Sequence, residues 1–148
     1  SLLAMKFLAM RLMQIGLKVY LVGEVCTPSI REGDLLLVGS GSGETAGMIA
    51  ICKKAKAAGA EVAVFTKNRN STIASIAKVA VQLNTAKPIQ EGAAGPDGWI
   101  EGNYFSIRPS GNPFEQSIVI VGDAMVCELM QKTNCGTAKI AYNHANLE

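Results

Sequence analysis

Asp34-Leu-Leu-Leu-Val-Gly-Ser-Gly-Ser-Gly-Glu-Thr45 is an apolar run that breaks into alternating glycines and serines and then restarts as a helix. Leu35 to Val38 are consecutive apolar residues, which suits a strand buried on both faces of a parallel sheet. Gly39, Gly41 and Gly43 carry no Cβ, so the chain can turn tightly there and a ligand can approach the backbone. Ser40, Ser42 and Thr45 add hydroxyls beside free backbone N–H groups. With a helix N-terminus behind them, those groups make a seat for an anion. Two other readings compete. Such turns also occur with nothing bound, and some hold dinucleotides. The spacing G-x-G-x-G is not the G-x-G-x-x-G of the dinucleotide fingerprint. The acidic residue expected at the end of the following strand is also missing, because that strand ends Phe65-Thr66-Lys67. A phosphate on a smaller molecule is the favoured ligand.

Working outward, strand and helix patterns alternate. Leu2 to Gly16 reads as a largely buried helix, its polar Lys6, Arg11 and Gln14 on one arc and Gly16 as C-cap. Val19 to Val22 reads as a short strand, followed by a turn through Thr27-Pro28. The helix after the glycine-rich turn spans Thr45 to Ala58, with Met48, Ile51, Cys52 and Ala55 on one stripe and Gly59 ending it. Glu61 to Phe65 is the next strand. The polar loop Thr66 to Thr72 follows at its C-terminal end, the edge where ligands collect in open α/β sheets. Lys67 and Arg69 in that loop are either phosphate contacts or ordinary solvated charges. A short helix from Ser71 or Thr72 to Lys78 leads into the strand Val79 to Leu83. This alternation implies an α/β fold, a mainly parallel sheet between helices.

The pattern fails from Asn84 to Asn112, a stretch rich in Gly and Pro that contains Trp99, Tyr104 and Phe105. A segment of that length is expected to be a flap or a functional loop, its aromatics packed on its own domain or on a neighbouring subunit. Asn112-Pro-Phe-Glu-Gln116 then opens a long helix running to about Lys132. Asn112 suits the N-cap, Pro113 the first helical position and Glu115 a capping-box carboxylate. This helix is apolar nearly all round, from Ile118 to Met130, which implies burial and an oligomer interface. A short helix and Asn143-His144-Ala-Asn-Leu-Glu148 close the sequence.

Composition narrows the function classes. The chain has 148 residues and is 49% hydrophobic, enough for a single domain over 1–148 with a real core. A net charge of +2 and 5% aromatic content argue against nucleic acid or an acidic membrane surface as partner. Cys26, Cys52, Cys127 and Cys135 show no C-x-x-C spacing and are accompanied by a single histidine, which disfavours a metal site. Cys52 and Cys127 read as small core residues. A reducing cytoplasm is the expected compartment. Lys6 and Arg11 interrupt the apolar N-terminal run, so it does not read as a signal peptide, and no run is long enough to span a bilayer. The sequence opens inside a helical pattern without a Met, so an upstream segment is expected to have been removed.

These pieces together resemble the 6-phospho-3-hexuloisomerases of the sugar isomerase (SIS) domain superfamily. The resemblance rests on Ala9-Met-Arg-Leu-Met13, Val22-Gly-Glu24 with Thr27-Pro28, and Gly39-Ser-Gly-Ser-Gly-Glu-Thr45. It continues with Pro109-x-Gly-x-x-Phe-Glu-Gln116, Asp123-Ala124 and His144-Ala-Asn-Leu-Glu148. The serine–glycine segment marks the superfamily; the Phe-Glu-Gln and His-Ala-Asn-Leu-Glu segments are narrower. The implied fold is the three-layer, flavodoxin-like SIS fold. Family members begin with a helix and a first strand ending Arg-Ser-Gly. Ser1 matches that serine, Leu2 stands in place of the glycine, and everything before is absent. In the SIS fold that strand lies mid-sheet, and its loss would expose a hydrophobic edge on the strand carrying the phosphate turn. Either the sequence is a piece of a longer protein or the site is incomplete.

The resemblance implies isomerisation of D-arabino-3-hexulose 6-phosphate to D-fructose 6-phosphate through a cis-enediol, within formaldehyde fixation by ribulose monophosphate. It implies no metal or redox cofactor, and a homo-oligomer, by resemblance a tetramer. Such chemistry needs a phosphate anchor, a base beside two carbons and an acid at the oxygens. The anchor is assigned to Ser40, Gly41, Ser42, Gly43 and Thr45, with Ser1 added. Glu115 is assigned as the base, against the plainer reading that it only caps its helix. His144 is assigned to ring opening or proton shuttling, in its own site or a neighbouring subunit's, against the plainer reading of a solvent-exposed residue near a chain end. Glu44 would repel a phosphate and is expected to orient the turn or pair with a base; Glu24 is a weaker candidate for lining the cleft. The competing classes are a non-catalytic SIS module that senses a sugar phosphate and an aldose–ketose isomerase acting on another phosphosugar.

Overall fold

The computed structural model describes residues 1–85 and 112–147. Its elements are α1 (Leu2–Gln14), β1 (Leu35–Gly39), α2 (Ala46–Ala57), β2 (Glu61–Thr66), α3 (Thr72–Ile76), β3 (Val79–Gln82), α4 (Asn112–Lys132) and α5 (Thr137–Asn143). The capping role expected of the Asn112 side chain lies outside the described residues. So does the packing expected of Trp99, Tyr104 and Phe105.

The three strands form a parallel sheet in the order β1-β2-β3, with Leu36 opposite Val62, Val38 opposite Val64, and Phe65 opposite Val81. Strand side chains alternate between faces, and each face has its own core. Leu36, Val38, Val62 and Val64 pack with Cys52, Ala55 and Ile73 of α2 and α3. Phe65 packs on the other face with Ala4 and Leu8 of α1 and Phe114, Ile118 and Val126 of α4, joined by Leu37 and Val81. The result is the expected three-layer α/β arrangement. Two glycines end helices as expected, Gly16 at φ +91° after α1 and Gly59 at φ +84° after α2, which is where the left-handed region is easiest for glycine.

Four expectations fail. The helix α1 is not largely buried: Leu2, Leu3, Met10 and Met13 are exposed while the polar Gln14 is buried, because only one stripe of the helix meets α4 and the sheet. Val19 to Val22 forms no strand. A strand exists through its ladder, and among the described residues this stretch finds none; its N–H and C=O groups make turns instead, such as Glu24 N–H to Leu21 O at 3.2 Å. The β1 strand is only partly buried: Leu36 and Val38 are buried on one face and Leu37 half-buried on the other, but Leu35 at its start is 61% exposed, and the strand lies at the edge of the three-stranded sheet. Cys127 is exposed on α4 rather than buried, whereas Cys52 is fully buried and desolvation pushes its thiol pKa up. Helical periodicity alone could not tell which apolar residues of α4 face the sheet: Ile118 is buried, but Ile120 is 69% exposed.

Candidate functional site

The parallel strands deliver their C-terminal ends to one edge, and the glycine–serine turn leaves β1 there. Ser40 extends the ladder by one bond, its N–H donating to Phe65 O at 3.0 Å. The turn is then closed from inside: Gly43 N–H donates to Ser40 Oγ at 3.1 Å, and Glu44 N–H donates to Ser42 Oγ at 3.2 Å. Each hydroxyl uses an acceptor site in these bonds and keeps its O–H for a ligand. Ser40 is 4% exposed and Ser42 is open to solvent. Thr45 is the N-cap residue of α2, but its side chain makes no capping bond, so its hydroxyl is also uncommitted. The amides of Gly41, Ser42 and Thr45 meet no acceptor among the described residues. The turn therefore presents amides and hydroxyls at a helix N-terminus, the combination an anion seeks.

What holds the turn in shape was only partly legible. Gly43 sits at φ +70°, and a Cβ there would come within 2.0 Å of Ser71 Oγ. Ser71 is itself buried and caps α3, accepting from Ala74 N–H at 3.4 Å. Two successive α3 amides reach the turn: Thr72 N–H donates to Glu44 Oε1 at 2.7 Å and Ile73 N–H to Gly43 O at 3.1 Å. Glu44 thus orients the turn, as expected, through the positive end of α3 rather than through a basic side chain. Hydrogen bonding from the Thr72 side chain, and then from its amide, lowers the Glu44 carboxyl pKa below its ordinary value. From the β2 side, Thr66 Oγ1 donates to Gly41 O at 3.3 Å and Lys67 N–H to the same oxygen at 3.0 Å. Neither Thr66 nor Ser71 carries a sequence signal for contact with the turn. The only local signal is Ser71 as an N-cap type before Thr-Ile-Ala-Ser-Ile.

The start of α4 comes to the same edge. The Phe114 ring is 4% exposed and lies 3.5 Å from where a Cβ on Gly41 would be. The carboxylate of Glu115, next along α4, lies against the backbone nitrogen of Ser1. Ser1, Glu115 and the turn are therefore neighbours. His144 is not. It follows α5, which is tied to the far end of α1 by Asn143 Nδ2 donating to Gln14 O at 3.0 Å. The 13 residues of α1 span about 20 Å at a rise of about 1.5 Å each, so that length separates His144 from Ser1 and Glu115. The imidazole is exposed, its Nδ1 3.0 Å from Ala145 O. Arg69 turns toward β3, donating to Ala80 O at 3.5 Å, and Glu24 pairs with Lys6 at 3.4 Å. No cluster of His, Cys, Asp and Glu suited to a metal occurs among the described residues, and no helix there is long and apolar enough to cross a membrane.

Comparison with known proteins identifies the family. The SIS domain family model matches residues 2–96. The 3-hexulose-6-phosphate isomerase of Bacillus subtilis (strain 168) is 37% identical over 143 residues, covering 97% of this chain and 72% of that protein. Its namesake from Mycobacterium gastri is 37% identical over 146 residues, covering 99% and 68%. A solved structure from Methanococcus jannaschii, described as inferring a molecular function of 3-hexulose-6-phosphate isomerase, superimposes with a TM-score of 0.79 at 29% identity, covering 99% of this chain and 72% of that one. The chain belongs to the SIS domain family and, within it, to the family of the 3-hexulose-6-phosphate isomerases.

Proposed function

We propose that this chain interconverts D-arabino-3-hexulose 6-phosphate and D-fructose 6-phosphate, the isomerase step of formaldehyde fixation through ribulose monophosphate. The observation that carries the reading is the adjacency of an anion seat to an acidic helix start: the Gly41 turn packs against Phe114, and Glu115 follows it. The relatives' names supply the substrate.

Moving the carbonyl from C3 to C2 requires a proton to leave C2 and one to arrive at C3. The oxygen at C3 gains a proton as the cis-enediol forms, and the oxygen at C2 loses one as it collapses. In this reading the hydroxyls of Ser40, Ser42 and Thr45 and the amides of Gly41, Ser42 and Thr45 hold the phosphate, Gly43 shapes the turn because its own N–H is spent on Ser40 Oγ, and Ser1 borders the seat. The Glu115 carboxylate takes a proton from C2 and delivers one to C3, exchanging with solvent in between. A fixed phosphate leaves only the distal carbons to be aligned with the base, and general base catalysis is typically worth about 10²–10⁴-fold. His144 assists proton movement at the oxygens or ring opening from a neighbouring subunit, since α1 separates it from the seat in its own chain. That assignment requires a homo-oligomer, a tetramer by resemblance, and the exposed Ile120 on α4 offers apolar surface for one. The cytoplasm is the compartment consistent with the substrate.

The test is a coupled assay run in both directions with hexulose phosphate and fructose 6-phosphate. Turnover with either supports the reading. Binding of both sugars without turnover would make the chain a sensor module instead.

A further inference from the structure

Lys67 leaves the C-terminal end of β2, and its side chain crosses the glycine–serine turn. Its Cε lies 3.1 Å from the position a Cβ on Gly41 would take, with the Phe114 ring at 3.5 Å from the same point. The absence of a side chain at Gly41 opens that passage, and the ring walls it. The ammonium is one C–N bond of about 1.5 Å further on, so it stays within about 5 Å of that point. The backbone at the base of the arm is held on both sides: Lys67 N–H donates to Gly41 O at 3.0 Å, and Lys67 O accepts from Gln82 Nε2 at 3.2 Å.

Its charge is uncommitted. No carboxylate pairs with Lys67 among the described residues, while the nearby Glu44 is occupied by the Thr72 amide. The other cation of this loop, Arg69, is directed to the Ala80 carbonyl. An unpaired ammonium packed over a turn of free amides is placed to complete an anion site with full charge.

We infer that Lys67 is a cationic arm of the phosphate seat, bonding the phosphate of the bound sugar from above Gly41. This rests on the phosphate-seat reading given above. Amides and hydroxyls alone select phosphate by geometry; the ammonium adds preference for its dianionic form. The arm also lies beside Phe114, so it fixes the phosphate on the side from which Glu115 addresses the carbons.

Lys67→Met tests this directly, because methionine keeps an unbranched stem to pack on Gly41 and Phe114 while removing the charge. Binding of inorganic phosphate is measured by calorimetry, alongside KM and kcat for hexulose phosphate. Arg69→Met is the control for net charge, and Lys67→Arg for rescue. The expected result is phosphate binding weakened about tenfold in Lys67→Met, as for loss of a hydrogen bond from a charged group. KM should rise by a similar factor with kcat within about twofold, Lys67→Arg should recover most of the loss, and Arg69→Met should change little. Wild-type phosphate affinity in Lys67→Met, with Ser42→Ala impaired, overturns the inference and leaves the seat standing. An equal loss in Arg69→Met overturns it in favour of diffuse charge. If the wild-type chain binds no phosphate and Ser42→Ala leaves KM unchanged, the seat itself is wrong and the inference falls with it.

Discussion

The glycine–serine turn and the end carrying His144 are built in opposite ways. The turn is tied to β2 through Gly41 O and to α3 through Gly43 O and Glu44, and it rests on the buried Ser71. The α5 helix has no buried residue and is fastened to α1 through the Asn143 amide. One is a preorganised seat whose shape is fixed before any ligand arrives; the other is an exposed appendage whose role depends on what it meets. Preorganisation lets a site bind without spending energy on ordering itself. In the proposed reading a single chain assembles the phosphate seat and its adjacent carboxylate, while its histidine is exposed beside the far end of α1.

The difference can be broken or sharpened by substitution. Glu115→Gln removes the proposed base while keeping its shape and should lower kcat by at least about 100-fold, with KM changed only a few-fold; steady-state kinetics check this. Next, Gly43→Ala forces a Cβ into Ser71 at a left-handed φ, and should cost about 2–4 kcal/mol in urea unfolding. His144→Ala, on the exposed end, should stay within about 0.5 kcal/mol in the same experiment. Comparable losses in the two variants would erase the contrast. Ser42→Ala deletes one solvent-facing hydroxyl and should raise KM about tenfold with little effect on kcat. A dephosphorylated sugar should not feel the change.

The smallest effect concerns Glu44. Its folded pKa is depressed by the bonds from Thr72, from an ordinary value of 4.5. A depressed carboxylate contributes stability that is fully present above its unfolded pKa and is lost as pH falls through the folded one. Thermal melts of wild type and Glu44→Gln should therefore differ by a constant amount above about pH 5 and converge as the pH falls below 4.5. A gap that persists to low pH would mean the carboxylate's charge does not support the turn.

The sequence carried much of this architecture because period and punctuation are local. Gly16 and Gly59 marked helix ends, and α4 runs from Asn112 to Lys132 as its pattern implied. The errors lie where the answer depends on partners. Val19 to Val22 has strand composition but no ladder among the described residues, and Leu35 is apolar yet sits on a sheet edge. Cys127 falls on the open side of its helix, which composition cannot reveal. At the site, the turn announced itself through its glycines and serines. Its supports from Thr66 and Ser71 come from elsewhere in the chain, and only folding brings them under Gly41 and Gly43.

The central claim is that Glu115 moves a proton between neighbouring carbons of a phosphosugar held by the Ser40–Thr45 turn. Solvent exchange tests it most directly. Fructose 6-phosphate incubated with the chain in deuterated water should acquire deuterium at C3, followed by NMR. The account predicts exchange with the wild-type chain and loss of at least about 100-fold in its rate with Glu115→Gln. Exchange at the wild-type rate in Glu115→Gln would contradict it.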